Sequence, residues 1–192
     1  MLCSMIARGQ TENLSSRFYF PGLIGIGVPT GDEQTSMKTG FALNTACEYR
    51  PVYANSYFFR FNYDNISNKY YSLNSPIPTN VKRGKLSSNF FLLGVGYRRK
   101  FQRIGAYLLL QPGYNISNYT VVNYNTNSTI AIGNASINHF STKLCGGIEY
   151  YIVPHFALVF EPAYYHLFPG NNNYVLNPNY ISYNIGFTTT LF

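Results

Sequence analysis

His139 and Ser141, with Glu149 and Glu161 further along, are residues of the types that build a hydrolytic site: an imidazole base, a hydroxyl nucleophile and a carboxylate to orient the base. Their two-residue spacing puts His139 and Ser141 on one face of an extended strand, with Cα atoms roughly 6.6 Å apart, so a contact is sterically allowed. Glu149 stands eight residues beyond Ser141, roughly 26 Å along the same strand, too far to orient His139. Glu161 would reach it only through a strand register that the sequence does not reveal. A His and a Ser near the loop end of a strand serve equally as polar residues on its inward face, and the chain is read as not an enzyme.

Other chemistry is sparse. There is no phosphate-binding loop, dinucleotide fingerprint or metal-ligand cluster, so no cofactor and no metal are expected. Cys3, Cys47 and Cys145 lack Cys-x-x-Cys or Cys/His ligand spacing. Cys47 shares a strand face with Phe41, Leu43 and Tyr49, and Cys145 with Lys143 and Glu149, so a disulfide would need opposite faces to meet, and free, buried, unreactive thiols are expected. The Asn-x-Ser/Thr triplets, such as those at Asn65 and Asn118, read as loop composition in an Asn-rich chain. A net charge of +7 comes largely from Arg98, Arg99, Lys100 and Arg103 and from Lys82, Arg83 and Lys85. Neither cluster is interleaved with stacking aromatics, which argues against nucleic acid.

The elements that position these residues are strands. The 192 residues include 19 Tyr, 15 Phe and no Trp, with 46% hydrophobic and only 11% charged residues. Such aromatic, Asn-, Ser-, Thr- and Gly-rich composition favours strands and turns, and no 3.6-period apolar stripe of helical length occurs. Soluble domains carry roughly a quarter charged residues, so something other than water is expected to cover much of this surface. No run approaches the ~20 apolar residues of a membrane helix, which leaves a barrel as the membrane alternative.

Period-two alternation marks eight strands. The first, residues 17–28, alternates Phe18, Phe20, Ile24, Ile26 and Val28 with Tyr19, Gly25 and Gly27, and Pro21-Gly22 reads as a bulge or an edge irregularity. Residues 39–50 set Phe41, Leu43, Cys47 and Tyr49 against Ala42, Asn44, Glu48 and Arg50. In the third strand Tyr57, Phe59, Phe61 and Tyr63 oppose Phe58, Arg60, Asn62 and Asp64, and residues 65–85 read as a loop. Residues 86–98 carry Phe91, Leu93, Val95 and Tyr97 against Ser88, Phe90, Gly94 and Gly96. Residues 99–102 read as a short basic turn. The strand at 103–116 has no assignable faces because Tyr107, Leu108 and Leu109 blur the pattern. Residues 118–134 read as a second long polar loop, although Tyr119 to Tyr124 could extend the strands beyond the main body. The strand at 137–151 puts Phe140, Leu144, Ile148 and Tyr150 opposite His139, Ser141, Lys143, Cys145 and Glu149. After a tight turn at 153–155, Phe156, Leu158, Phe160 and Tyr164 oppose Ala157, Val159, Glu161, Ala163 and Tyr165. The last strand, from Ile181, places Tyr183, Ile185, Phe187 and Leu191 on one face, and its pairing with residues 17–28 would close the barrel.

Short and long connections alternate, and strand lengths of about 11–14 residues exceed the ~9–11 needed to cross a bilayer at a tilt. This is the pattern of an antiparallel up-and-down transmembrane barrel. On the strand pattern, the loop alternation and the terminal Phe192, residues 17–192 resemble the small eight-stranded outer-membrane barrels of Gram-negative bacteria, of the OmpA transmembrane-domain, OmpX and opacity-protein type. The resemblance implies export, residence in the bacterial outer membrane, and insertion by the outer-membrane assembly machinery through the terminal strand. One departure stands out: Thr190, Thr188 and Gly186 share the face of Phe192, where the family's signal has apolar residues. Residues 1–16 read as the end of an export signal or a frayed terminus, and 17–192 as one barrel domain.

In such a barrel Phe41, Tyr49, Tyr57, Phe59, Phe61, Tyr63, Phe91, Tyr97, Phe140, Tyr150, Phe156, Phe160, Tyr164 and Phe187 face lipid, with tyrosines suited to the interfacial girdles. The lumen then receives Glu48, Arg60, Lys143, Glu149 and Glu161 as an ion-pair network that plugs it, since eight strands enclose little more than side chains. Arg50 and Asp64 belong either to this interior or to its wet rim. Lys82, Arg83 and Lys85 are assigned to lipopolysaccharide contact. A monomer bearing surface loops for an unidentified extracellular ligand is the reading taken forward. The alternatives are a soluble lipocalin-like barrel, in which the tyrosines would line a ligand cavity, and a lipid-modifying hydrolase like the outer-membrane lipid A deacylases, which use His, Ser and Glu.

Overall fold

The computed structural model describes residues 17–31, 37–51, 56–71, 83–124, 130–168 and 178–190. Eight strands follow in chain order: β1 (Phe18–Thr30), β2 (Gly40–Tyr49), β3 (Tyr57–Tyr71), β4 (Arg83–Phe101), β5 (Ile104–Tyr124), β6 (Ile130–Val153), β7 (Phe156–Leu167) and β8 (Asn179–Thr190). Each pairs antiparallel with its sequence neighbour, and β8 pairs with β1 from Thr30↔Asn179 to Tyr19↔Thr190, closing the barrel. Closure satisfies the backbone groups that an open edge would strand in lipid.

The registers define the shape. A path from Phe18 runs through Tyr49, Phe59, Val95, Leu110, Leu144, Tyr164 and Ile181 and re-enters β1 at Val28, ten residues from its start. A stagger of that size in eight strands tilts them by about 40° to the barrel axis and leaves an interior only wide enough for side chains.

The alternation read from the sequence holds along the strands, but several boundaries move. β3 continues through Asn65 to Tyr71 and pairs with β4 up to Tyr71↔Arg83. Residues 65–71 and 83–85 are therefore strand rather than loop. β5 and β6 likewise pair as far as Tyr124↔Ile130, so the expected loop at 118–134 is mostly hairpin. Asn, Ser and Lys on the outward face gave these stretches the composition of loops, although Ile66, Tyr70 and Leu86 pack inside, and the ladders continue past the apolar belt into water. The turn between β4 and β5 is Gln102-Arg103, with Gln102 in the left-handed region at φ 51°. Arg99 and Lys100 accordingly belong to β4. Pro21-Gly22 forms no bulge, since β1 keeps one register with both neighbours, but the pairing with β2 is interrupted at Phe20 and Pro21. The register shift lies instead between Tyr151 and Val153 on β6, next to the Pro154-His155 turn. In β5, Tyr107, Leu109, Gln111, Asn115 and Ser117 are buried, whereas Ile104, Leu108, Leu110 and Tyr114 are exposed, which settles its faces. Leu191, Phe192 and residues 1–16 lie outside the described residues, and so do the expectations placed on them.

Candidate functional site

The lumen is where the charged residues converge. Inward positions on β2, β3, β4, β6 and β7 bring together four acids and four bases, and the bridges between them form one chain of alternating sign. Asp64 meets Lys143 at 2.9 Å, Lys143 meets Glu161 at 2.9 Å, Glu161 meets Arg60 at 2.6 Å, and Arg60 meets Glu48 at 2.6 Å. Glu48 then bonds Arg50, Arg50 bonds Glu149 at 2.8 Å, and Glu149 bonds Arg98 at 3.0 Å. Every acidic residue among the described residues belongs to this chain. Six of its eight members have side chains no more than 1% exposed; Arg50 at 11% and Arg98 at 16% form the end towards the short turns.

Neutral donors complete it. The Tyr107 hydroxyl donates to Glu161, and the Asn44 amide does so at 3.1 Å. Tyr165 donates to Asp64 at 2.8 Å, Asn62 to Asp64 at 3.0 Å, and Tyr151 to Glu149 at 2.6 Å. Gln111 ties Asn62 into the same web at 2.9 Å. A buried ion costs several kcal/mol unless its partners and hydrogen bonds are all supplied, and here each carboxylate has both. Two ring positions complete the packing where a glycine faces them. The Phe58 ring lies over Gly96 and the Tyr107 ring over Gly147, each 2.1 Å from where a Cβ would stand, and the two rings meet edge-on at 5.8 Å.

The expected interior residues Glu48, Arg60, Lys143, Glu149 and Glu161 thus lie in one connected chain. Asp64 and Arg50, whose place was open, lie in it too. Three participants were missed. Arg98 was grouped with the basic cluster, although its even position on β4 puts it on the lumen face with Phe90 and Gly96. Tyr151 is also inward by parity, which was the available signal, whereas Tyr107 lies on β5, whose faces the sequence does not distinguish. Towards the longer connections the lumen becomes neutral: Ser88 shares hydrogen bonds with Ser117 at 3.0 Å and Tyr180 at 3.1 Å, beside the buried rings of Phe90 and Tyr165. His139 and Ser141 lie at this neutral end. No hydrogen bond joins them, the Ser141 Oγ has no partner, and Glu149 and Glu161 are held in the ion chain. The triad geometry of a hydrolase is not assembled. Cys47 and Cys145 are free thiols; Cys145 is buried as expected, but Cys47, on the same strand face as the outward Phe41, is only half-buried.

The outer wall is the inverse. Phe41, Tyr57, Phe59, Phe61, Phe91, Tyr97, Phe140, Tyr150, Phe160, Tyr164 and Phe187 are exposed on it, while Tyr49, Tyr63 and Phe156 are half-buried on the same face. The strand-end tyrosines of that set therefore stand outside the barrel rather than around an internal ligand cavity, contrary to the soluble alternative. Of the residues assigned to lipopolysaccharide contact, Arg83 and Lys85 are exposed at the start of β4, and Lys82 lies outside the described residues.

Solved structures share this architecture. The Neisserial surface protein A matches with a TM-score of 0.66 at 15% identity, over 91% of this chain and 97% of its own. Ail, the attachment invasion locus protein of Yersinia pestis, in complex with the heparin analogue sucrose octasulfate, matches with a TM-score of 0.52 at 12% identity, over 91% and 96%. The outer membrane protein OprG of Pseudomonas aeruginosa gives 0.51 at 13% identity, over 91% and 95%. At these identities the likeness concerns the fold. No curated protein matches by sequence. Residues 1–188, however, match the family described as outer membrane protein beta-barrel domain. With its closed eight-stranded wall and bare aromatic exterior, the chain belongs to that family of transmembrane barrels of the bacterial outer membrane.

Proposed function

We propose that this barrel is plugged, and that it acts through its outer surface as a structural and surface-interaction protein without catalytic activity. The observation that carries this reading is the continuous ion chain from Asp64 to Arg98, which crosses the lumen between β3, β6, β7, β2 and β4. Opening a water path would separate partners that are worth several kcal/mol only while they stay together. Purified protein reconstituted in planar bilayers is expected to give no stable conductance steps, and large steps comparable to those of an open porin would refute the plug.

The monomer is set in outer-membrane lipid and lipopolysaccharide, inserted by the outer-membrane assembly machinery, with its longer connections directed to the exterior for an extracellular ligand. Contact with lipopolysaccharide is assigned to Lys82, Arg83 and Lys85. Their joint replacement by Gln is expected to weaken retention of lipopolysaccharide during purification, and unchanged retention would remove this assignment.

A further inference from the structure

Beyond the apolar belt, the outward faces of β3 and β4 change character in two steps. First comes an uncharged polar ladder. The Tyr63 hydroxyl donates to Asn89 at 3.0 Å, and the Asn65 amide donates to Ser87 at 3.0 Å and to Asn89 at 2.8 Å. Above it stands a group of cations. Lys69 is directly opposite Lys85 in the register, and Tyr71 is opposite Arg83. Lys38 joins them through its backbone NH, which donates to Lys69 O at 2.8 Å. The Lys38 Nζ lies 5.0 Å from the Tyr71 ring centre and the Arg83 guanidinium 5.6 Å. All four cations are exposed.

Like charges directly opposed across a ladder are destabilising, and none of the four acids among the described residues is here, because all are in the lumen. Among the described residues the cluster therefore has no acid beside it to offset its repulsion. Its height narrows the ligand. Lys69 is six residues beyond Tyr63, roughly 20 Å along the strand and about 15 Å along the barrel axis at a 40° tilt. The polar headgroup layer of a bilayer extends only about 5–8 Å beyond the hydrocarbon.

We infer that Lys38, Lys69, Arg83 and Lys85, set around Tyr71, form a binding site for a saccharide bearing several phosphate, carboxylate or sulfate groups, above the level of lipid phosphates. The cations take the anionic substituents, Lys38 and Arg83 are held over the Tyr71 ring that gathers them, and the Asn65–Ser87–Asn89 ladder offers neutral hydrogen-bonding groups below. This site builds on the reading of the barrel as a surface-acting body. Conductance bears on that reading alone, and the titrations below bear on the site alone.

The test uses the full-length protein in phospholipid nanodiscs and a Lys69→Gln/Lys85→Gln variant whose folding is verified by heat-modifiable migration. A free sulfated oligosaccharide is titrated by calorimetry. In parallel, the thermal midpoint is measured in nanodiscs containing core-bearing lipopolysaccharide or lipid A alone. Binding of the free oligosaccharide, about tenfold weaker in the variant and weaker in high salt, supports the site with a ligand from outside the cell. A midpoint raised by core-bearing lipopolysaccharide but not by lipid A, and lost in the variant, supports it with the ligand supplied by the membrane's own saccharide layer. The inference is overturned if neither probe binds, if lipid A alone does as well as the core-bearing form, or if the variant binds like the parent.

Discussion

The lumen and the exterior rim of β3 and β4 use the same charged residue types under opposite rules. In the lumen each cation has an acid within bridging distance, and signs alternate through eight residues. On the rim Lys69 faces Lys85 with water as the only solvent for either. A lysine in low dielectric must have its counter-ion built in, whereas one in water tolerates a like neighbour at small cost. The difference separates residues that complete the protein's interior from residues left for something outside it.

The comparison can be broken most severely at the middle of the ion chain. Glu161→Gln removes the acid shared by Arg60 and Lys143, and it is expected to destabilise the barrel by about 3–5 kcal/mol, measured by urea unfolding in detergent micelles. A loss below 1 kcal/mol would mean that water already screens the lumen. Gly147→Val places a side chain into the Tyr107 ring and should cost about 1–3 kcal/mol by overpacking. Arg98→Ala acts at the half-open end of the chain, where solvent takes over part of the lost interaction, so a loss of about 1 kcal/mol is expected in the same assay. An effect equal to that of Glu161→Gln would show that the chain has no wet end. The smallest effect belongs to the rim: Lys69→Gln/Lys85→Gln should leave stability unchanged or raise it by about 0.2–0.5 kcal/mol. A clear loss would mean that the rim cations have intramolecular partners.

What was legible in the sequence followed from parity. Alternation in residues 57–64 and 137–151 separates lipid-facing rings from inward charges because a membrane barrel is apolar outside at every crossing. The same rule reached Glu48, Arg60, Lys143, Glu149 and Glu161. Three things were beyond it. The consecutive leucines Leu108, Leu109 and Leu110 gave both faces of β5 the same chemistry, and only the packing of Leu109 inside distinguishes them. The outer parts of β3 and β4 are polar on their exposed faces, and residues 118–134 are rich in Asn, Ser and Thr, so the composition of both was that of loops. Which acid meets which base depends on stagger: Asp64 and Lys143 touch across strands that are not neighbours, through a barrel whose registers only the fold supplies.

The division of the ion chain between the two halves of the polypeptide bears on the order of folding. Strands β1–β4, with Arg50 just beyond β2, contribute Glu48, Arg50, Arg60, Asp64 and Arg98, one positive charge in excess. Strands β5–β8 contribute Lys143, Glu149 and Glu161, one negative charge in excess. Four bridges, Asp64–Lys143, Arg60–Glu161, Arg50–Glu149 and Arg98–Glu149, join one half to the other. Neither half is neutral alone, and a partly rolled sheet would present stranded charges to the membrane interior. The opposite excesses cancel only where the two halves face each other across the lumen, as they do with β8 paired to β1.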